Sequence, residues 1–126
     1  AHPYGMVGSD AVMLGEFPSP RTYGCFPVIL AEYVRAEKHL RLPEAIRKMT
    51  SFPAQRLGLR DRGLLYDGMK ADIVIFNPET VKAPATRTRP KQFPIGIPYV
   101  IVNGQLVIDD GDHTGALPGR ALRHGK

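Results

Sequence analysis

Asp10 is the residue of this 126-residue sequence whose type and position point most clearly to chemistry. It follows Met6-Val7-Gly8-Ser9, a short apolar run that ends in small residues and predicts a β-strand. In a parallel α/β barrel, reactive groups stand at the carboxyl ends of the strands, and small neighbours let a ligand approach the backbone. A carboxylate there can act as a general base or bind a metal ion. The residues alone also allow the commoner roles of a lone aspartate, a helix cap or a turn acceptor.

The histidines and the other aspartates do not form a recognisable site in the sequence. Four histidines are scattered along the chain: His2, His39, His113 and His124. Their spacing matches neither H-x-H nor H-E-x-x-H, so the sequence predicts no complete metal site. Three aspartates surround one of them: Asp109, Asp110 and Asp112. They lack the alternating spacing of a calcium loop, which favours a solvated turn.

Cys25 is the one cysteine of the chain. It lies near a predicted helix start, but no histidine is placed in the sequence to act as its base, which favours a small packed thiol over a nucleophile. A single cysteine cannot form an internal disulfide, and this fits a reducing compartment. We therefore expect a cytoplasmic protein.

Composition and charge argue against two classes of partner. No apolar run approaches the roughly 18 residues of a membrane-spanning helix, so we expect no membrane partner. The 17 Lys and Arg against 12 Asp and Glu give a net charge of +5. These basic residues are spread over loops and are not interleaved with aromatic residues, so we expect no nucleic acid either. The chain begins with neither Met nor a secretory signal, and we expect further residues upstream of Ala1.

The elements that would position the candidate carboxylate begin with three predicted helices. Apolar residues at helical spacing predict the first over residues 27–37, after a loop between residues 15 and 24. The second covers residues 43–49, with a proline and a glutamate favourably placed in its first turn. The third covers residues 53–57 and is stopped by Gly58.

After residue 60 the periodicity becomes that of β-strands. Four runs are predicted: residues 63–65, 71–76, 99–102 and 105–108. Asn103-Gly104 separates the last two by two residues that tolerate positive φ, which predicts a type I′ hairpin turn. Residues 82–98 contain four prolines and predict an extended loop.

Several segments resemble a known family and occur in the same order as in that family. They are His2-Pro3-Tyr4-Gly5-Met6-Val7-Gly8-Ser9-Asp10-Ala11, Pro20-Arg21-Thr22-Tyr23-Gly24, Arg47-Lys48-Met49-Thr50-Ser51 with Pro53-Ala54, Ala71-Asp72-Ile73-Val74-Ile75-Phe76 and His113-Thr114-Gly115-Ala116. With them, the sequence resembles the C-terminal quarter of the N-acyl-D-amino-acid deacylases, also called D-aminoacylases, of the amidohydrolase superfamily. The Ala-Asp-Ile-Val segment is shared by many amidohydrolases, whereas Val-Gly-Ser-Asp joined to His-Thr-Gly-Ala is narrower.

The resemblance implies an α/β fold followed by a β fold. Residues 1–58 would be the end of a TIM-like amidohydrolase barrel, with strand 8 at Met6 to Ser9 and the closing helices after it. Residues 59–126 would be part of a small β-sandwich domain, with the Pro-rich loop at 82–98. Asp72 lies in this second part, and we interpret it as structural.

The resemblance also implies the site and its chemistry. Asp10 matches the family's catalytic aspartate, which takes a proton from the attacking water, returns it to the departing amine and can also touch a metal. Ser9, Arg21 and Tyr23 are the implied substrate-binding residues, although Arg21 and Tyr23 are equally suited to anchoring a loop. The implied reaction cleaves the amide bond of an N-acyl-D-amino acid to a carboxylate and a free D-amino acid.

The resemblance implies zinc as the cofactor of the intact enzyme. Apart from Asp10, the implied zinc ligands are histidines and a cysteine, and they belong to earlier strands outside this sequence. The implied partner is the missing N-terminal part of the same enzyme. We expect the isolated chain to be inactive and to retain no zinc, since a parallel strand needs neighbours on both sides.

Two departures from the family pattern and two alternatives bear on the assignment. Ser19 stands where relatives often have His, and Cys25 where Thr or Ser is more common, so substrate preference is left open. The first alternative is another amidohydrolase that acts on cyclic amides, such as a hydantoinase or a dihydroorotase relative. The second is a non-catalytic, small basic β module that packs against a partner.

Overall fold

The computed structural model describes residues 2–123, and the predicted features at His124 and beyond lie outside the described residues. Helices occupy the first half of the chain and an antiparallel sheet the second. The helical elements are α1 (Arg21–Val28), a π-helical segment (Ile29–Ala36) that continues it, α2 (Leu42–Met49) and α3 (Ser51–Arg56). The strands are β1 (Ile73–Ile75), β2 (Tyr99–Val102), β3 (Gln105–Asp109) and β4 (Asp112–His113).

Residues 6–10 form no strand in the structure, which differs from the prediction. A strand exists only when a neighbour completes its hydrogen-bond ladder. The amide of Val7 donates instead to the main-chain carbonyl of Lys48, at 3.1 Å. The segment is therefore held against α2 rather than within a sheet.

The first helix begins six residues earlier than predicted, at Arg21 instead of Pro27. The carbonyl of Pro20 accepts hydrogen bonds from the amides of Tyr23 (3.2 Å) and Gly24 (3.0 Å), so the first turn forms ahead of Pro27. Pro27 is thus inside the helix, where it has no N–H to donate. The helix continues past it in π-helical form, and the predicted loop after residue 15 is correspondingly shorter.

The predictions for α2 and α3 are confirmed to within two residues at either end. Pro43 and Glu44 lie in the first turn of α2 as predicted. Gly58 ends α3 with φ +71°, in the left-handed region that glycine adopts without a steric penalty. Its amide donates to the carbonyl of Gln55 (3.1 Å), and the next amide, of Leu59, donates to the carbonyl of Ala54 (2.9 Å). These two bonds are the Schellman motif that closes many helices.

The four strands form one antiparallel sheet in the order β1-β2-β3-β4. Asn103 (φ 48°) and Gly104 (φ 79°) both have positive φ between β2 and β3, which confirms the type I′ turn. The strand predicted at residues 63–65 is wrong. Gly63 has φ +86°, and this left-handed conformation interrupts an extended chain.

Asp72, the residue just before β1, holds the β2–β3 turn through side-chain contacts. Its Oδ1 accepts a hydrogen bond from the backbone N–H of Asn103 at 2.8 Å. Arg62 bonds both to the Asp72 carboxylate and to Oδ1 of Asn103, the latter at 2.6 Å. The Asn103 side chain in turn donates to the carbonyl of Pro118 at 2.8 Å. These contacts support the structural role that the sequence assigns to Asp72.

The Pro-rich loop at residues 82–98 contains only one isolated bridge, between Lys82 and Ile95. It lies against α1, because a Cβ placed on Gly24 would come within 2.5 Å of the side chain of Ala83. Arg35 joins the helices to the segment before the loop, donating to the carbonyls of Pro78 (2.7 Å) and Val81 (2.9 Å).

The buried apolar core is small. Among residues 2–123, five aliphatic residues have less than a tenth of their surface exposed: Leu30, Ala31, Ala45, Ala54 and Val81. Three prolines are buried as well: Pro18, Pro27 and Pro90. Eight large apolar side chains are more than 70% exposed: Tyr4, Met13, Leu14, Phe17, Leu65, Tyr66, Phe93 and Leu117. Three of these side chains, Met13, Leu14 and Phe17, lie close together in the sequence, in the loop that follows Asp10. None of the helices within residues 2–123 has the length and apolar character needed to cross a bilayer.

Candidate functional site

Asp10 and Arg21 form the centre of the candidate site. The Nη2 of Arg21 donates to Oδ2 of Asp10 at 2.9 Å. Both groups are open to solvent, with 84% of the Asp10 side chain and 52% of the Arg21 side chain exposed. An ion pair this exposed adds little to stability. The pair therefore places a carboxylate and a guanidinium side by side at the surface without closing them off from a ligand.

The chain on either side of Asp10 is tied to α1 and α2. Asp10 has φ +44°, a left-handed conformation in which aspartate is found more often than most residues. The segment before it is tied to α2, and Arg21 lies in the first turn of α1. Thr22, next to Arg21, donates to the carbonyl of Val12 at 3.5 Å and so ties the loop after Asp10 to the same helix start. Asp10 is thus held between two helices that come later in the chain.

The other two predicted site residues lie close in sequence to this pair, but they make different contacts. Ser9 is half-buried next to Asp10. Tyr23 packs edge-to-face on Phe93 of the Pro-rich loop, with ring centroids 5.7 Å apart. That loop also approaches through Lys91, whose Nζ lies 3.2 Å from Oε2 of Glu16. The structure therefore joins Asp10 with Arg21 and leaves Tyr23 as a contact between α1 and the loop.

The described residues do not form a metal site by themselves. Within residues 2–123, no three His, Cys, Asp or Glu side chains come close enough together to hold an ion. Asp110 lies in the two-residue turn between β3 and β4, and Asp109 and Asp112 are the strand residues on either side of it; all three are exposed. His113 accepts a hydrogen bond on Nδ1 from the amide of Gly115 at 2.9 Å. A metal bound by Asp10 would therefore need further ligands beyond those that residues 2–123 bring together.

The last turns of α2 hold the segment that leads to Asp10. Lys48 is buried, and its ammonium donates to the carbonyls of His2 (2.6 Å) and Gly5 (2.7 Å). Arg47 donates from Nη2 to the carbonyl of Pro3 at 3.2 Å. Sequence analysis missed these contacts. The position of Lys48, three residues after the apolar Ala45, places it on the buried face of α2, and this spacing could have indicated a buried lysine.

Glu44 forms a two-point ion pair with Arg47 on the same helix. The Nε of Arg47 lies 2.9 Å from Oε2 of Glu44, and its Nη2 lies 3.0 Å from Oε1. These hydrogen bonds lower the pKa of Glu44 from 4.5 to about 2. The guanidinium also stacks on the ring of Phe52, with Cζ 4.3 Å from the ring centroid. Arg47 is thereby fixed in the orientation that reaches Pro3.

Two deacylases resemble this chain in sequence over nearly its whole length. The chain is 44% identical over 126 residues to N-acyl-D-aspartate deacylase of Alcaligenes xylosoxydans xylosoxydans, covering 99% of this chain and 25% of the relative. It is 42% identical over 122 residues to N-acyl-D-glutamate deacylase of the same organism, covering 97% of this chain and 25% of the relative. The chain thus spans about a quarter of the length of the curated relatives it matches.

Solved structures agree in fold. A crystal structure of D-aminoacylase matches 88% of this chain and 23% of its own, with a TM-score of 0.85 and 40% identity. N-acyl-D-glutamate deacylase from Bordetella bronchiseptica, in complex with zinc and a phosphonate mimic of the tetrahedral intermediate, matches 87% of this chain and 24% of its own, with a TM-score of 0.82 and 40% identity. A family model also matches residues 5–108. On these matches, the chain belongs to the amidohydrolase family.

Proposed function

We propose that this chain is the part of a zinc-dependent N-acyl-D-amino-acid deacylase that carries its general base. The observation that carries the proposal is the pair of Asp10 and Arg21, held open to solvent within a chain that resembles such deacylases over 99% of its length. The proposed reaction is hydrolysis of the amide bond of an N-acyl-D-amino acid, giving a carboxylate and a free D-amino acid.

Asp10 is the proposed proton carrier. An exposed carboxylate can take a proton from the attacking water as the carbon–oxygen bond forms, and give it to the nitrogen as the carbon–nitrogen bond breaks. One group then acts first as base and next as acid, so no second titratable side chain is required from this chain. The exposure of the Asp10 side chain, 84%, supports this role, because a ligand can reach the carboxylate.

Arg21 is the proposed anchor for the carboxylate of the substrate. A guanidinium has five N–H donors, and its contact with Asp10 uses one of them. The remaining donors can bind a carboxylate at two points, which lysine cannot do. Arg21 would thus bind the carboxylate of the substrate and also hold the Asp10 carboxylate in place. Ser9 and Tyr23 are proposed to border the same site.

This chain would supply one of several zinc ligands. Asp10 would supply that ligand, and the histidines and the cysteine would come from the remaining part of the protein. When bound, zinc polarises the amide carbonyl and makes water more acidic. Relatives support this, since the N-acyl-D-glutamate deacylase structure contains zinc and a D-aminoacylase structure has a binuclear metal centre.

The remaining part of the same protein is the proposed partner of this chain. Residues 1–58 would then complete a TIM-like barrel, and residues 59–126 would form part of a small β-sandwich. The exposed apolar side chains of Met13, Leu14 and Phe17 support a partner of this kind, because they lie in the loop after Asp10 and contact with other protein would remove them from water. On this proposal, the chain has no activity by itself. Its single cysteine fits the cytoplasm, which is the proposed compartment.

The test is an assay of the full-length protein with matched enantiomers. N-acetyl-D-aspartate, N-acetyl-D-glutamate and N-acetyl-D-methionine are compared with their L-forms, and with a hydantoin and dihydroorotate. We expect turnover of the D-substrates and none of the cyclic amides. Turnover of a cyclic amide alone would assign the chain to another amidohydrolase. Full activity in a preparation of residues 1–126 would contradict the proposed dependence on the remaining protein.

A further inference from the structure

Lys48 is the charged residue most removed from water among the described residues, with 5% of its surface exposed. A buried ammonium is costly unless its donors are satisfied. Its Nζ donates to the carbonyl oxygens of His2 at 2.6 Å and Gly5 at 2.7 Å, and a third carbonyl, that of Pro3, lies at 3.4 Å. Oε1 of Glu44 balances the charge at 3.5 Å. The ammonium is therefore well satisfied, and most of its partners are main-chain atoms of one short segment.

That segment depends on α2 for its position. Within residues 2–123, every hydrogen bond that joins residues 2–7 to the rest of the chain ends on Arg47 or Lys48. The lysine contributes twice, since its main-chain carbonyl also accepts from the amide of Val7 at 3.1 Å. Three residues after Val7 comes Asp10. A loss of these bonds would release the chain that leads directly to the carboxylate.

We propose that Lys48 is a positioning residue for Asp10. Its ammonium gathers the carbonyls of residues 2–5, fixes the course of the chain up to Val7, and so sets where the Asp10 carboxylate stands relative to Arg21. The inference rests on the proposed function, because it assigns Lys48 to the placement of the proposed general base. It differs from a purely structural role in its consequence: catalysis depends on the distance from Asp10 to the reacting atoms, and a shift of about 1 Å can cost about 100-fold in rate.

The experiment compares Lys48→Met with the parent in the full-length protein, and uses Lys82→Met as the control, since Lys82 is an exposed lysine of the Pro-rich loop. We expect Lys48→Met to lower kcat by about 100-fold while KM changes by less than about threefold, because the substrate anchor Arg21 lies on another helix. We expect Lys82→Met to leave both constants unchanged. Lys48→Arg, which keeps a cation with several donors, is expected to recover most of the lost kcat.

Amide hydrogen exchange provides a readout that does not depend on activity. Lys48→Met keeps the main-chain carbonyl that accepts from Val7, so faster exchange at Val7 reports a loosened segment and not a deleted acceptor. We expect exchange at Val7 to speed up at least about tenfold. The amide of Gly104 lies in the β2–β3 turn, far from Lys48 in the sequence, and donates to the carbonyl of Ala71 at 2.9 Å; it should exchange at the parent rate. If Gly104 is also deprotected, the variant is unfolded, and Lys48→Gln is measured in its place with the same expectations.

Each result decides a different statement. Unchanged exchange at Val7 would show that the Lys48 ammonium does not hold residues 2–7 in place. Faster exchange at Val7 with kcat within about twofold of the parent would overturn the positioning of Asp10. If the parent hydrolyses no N-acyl-D-amino acid, the proposed function fails, and exchange at Val7 still decides whether Lys48 holds the segment.

Discussion

Arg21 and Asp10 lie 11 positions apart in the sequence and meet at 2.9 Å, in a pair that is open to solvent on both sides. The contact joins the first turn of α1 to a segment that is itself held by α2. The proposed proton carrier and the proposed carboxylate anchor are thus adjacent at the surface of this chain. The first two predictions separate these two roles.

Asp10→Asn removes the proton carrier but keeps the size of the side chain. In the full-length protein we expect kcat for an N-acyl-D-amino acid to fall by about 100-fold to 10,000-fold, the usual contribution of general acid–base catalysis. Zinc content is measured on the same preparation by atomic emission, and we expect it to be retained. Asp67→Asn makes the same chemical change at an exposed turn and should leave kcat at the parent value. Near-parental turnover by Asp10→Asn would remove Asp10 from the mechanism.

Arg21→Lys keeps the charge but loses the planar fork of donors. We expect kcat/KM for the D-substrate to fall by about 10-fold to 100-fold, because a hydrogen bond to a charged group contributes about 1.5–3 kcal/mol. The loss should appear mainly in KM, since the proposed contact is with the substrate carboxylate. Arg56→Lys, at an exposed position of α3, is the matched control. A substrate amidated at its carboxyl group should be insensitive to Arg21→Lys, and equal losses on both substrates would contradict the anchor.

The zinc content of the 126-residue chain by itself follows from its donor set. Residues 2–123 bring together no cluster of three metal-ligating side chains. Structural and catalytic zinc sites in proteins use three or four protein ligands. After incubation with zinc and dialysis, we therefore expect the isolated chain to retain well below one equivalent, and Asp10→Asn to retain the same amount. Stoichiometric zinc that survives dialysis would contradict this expectation.

Local signals account for the parts of the fold that the sequence predicted correctly. Pro43 and Glu44 at the start of α2, Gly58 at the end of α3 and Asn103-Gly104 in the hairpin each act within a few residues. The start of α1 was misplaced because Pro27 is typical of a first turn, whereas here it lies inside the helix.

The missing information at the candidate site is non-local. Lys48 contacts the carbonyls of Gly5 and His2, which lie 43 and 46 positions earlier in the sequence. Because every residue has a main-chain carbonyl, residue types do not indicate which carbonyls a lysine will contact. The strand predicted at residues 6–10 failed for a related reason, since its residues are suitable but no neighbouring strand is present among residues 2–123. Asp10 itself was identified through resemblance and not through periodicity, and its role is a proposal.

Asp72→Ala tests the brace at the β2–β3 turn. The change removes the acceptor of the Asn103 amide and leaves the guanidinium of Arg62, whose side chain is 13% exposed, without its carboxylate. We expect the free energy of unfolding, measured with urea, to fall by about 1–3 kcal/mol. Asp67→Ala, in an exposed turn, is expected to change it by less than about 0.5 kcal/mol. An unchanged midpoint for Asp72→Ala would mean that the turn sequence alone holds the hairpin.

Glu44 gives a pH dependence whose sign can be worked out. Its pKa falls from 4.5 to about 2 on folding, mainly through its hydrogen bonds with Arg47. A group whose pKa is lowered in the folded state stabilises that state above its unfolded pKa, and the contribution disappears as the pH falls through the folded value. Glu44→Gln should therefore be less stable than the parent at neutral pH, and the difference should shrink between pH 4.5 and about 2.

The measurement is urea unfolding of both proteins at a series of pH values. Glu79→Gln makes the same chemical change at an exposed position and serves as the control. Salt should reduce the Glu44 effect, because the ion pair is partly exposed and its charges are screened. A stability difference that stays constant from pH 7 to pH 2 would show that Glu44 acts through packing and not through its charge. Arg47 would then reach the carbonyl of Pro3 without help from Glu44, and α2 would hold the segment before Asp10 through Lys48 and Arg47 alone.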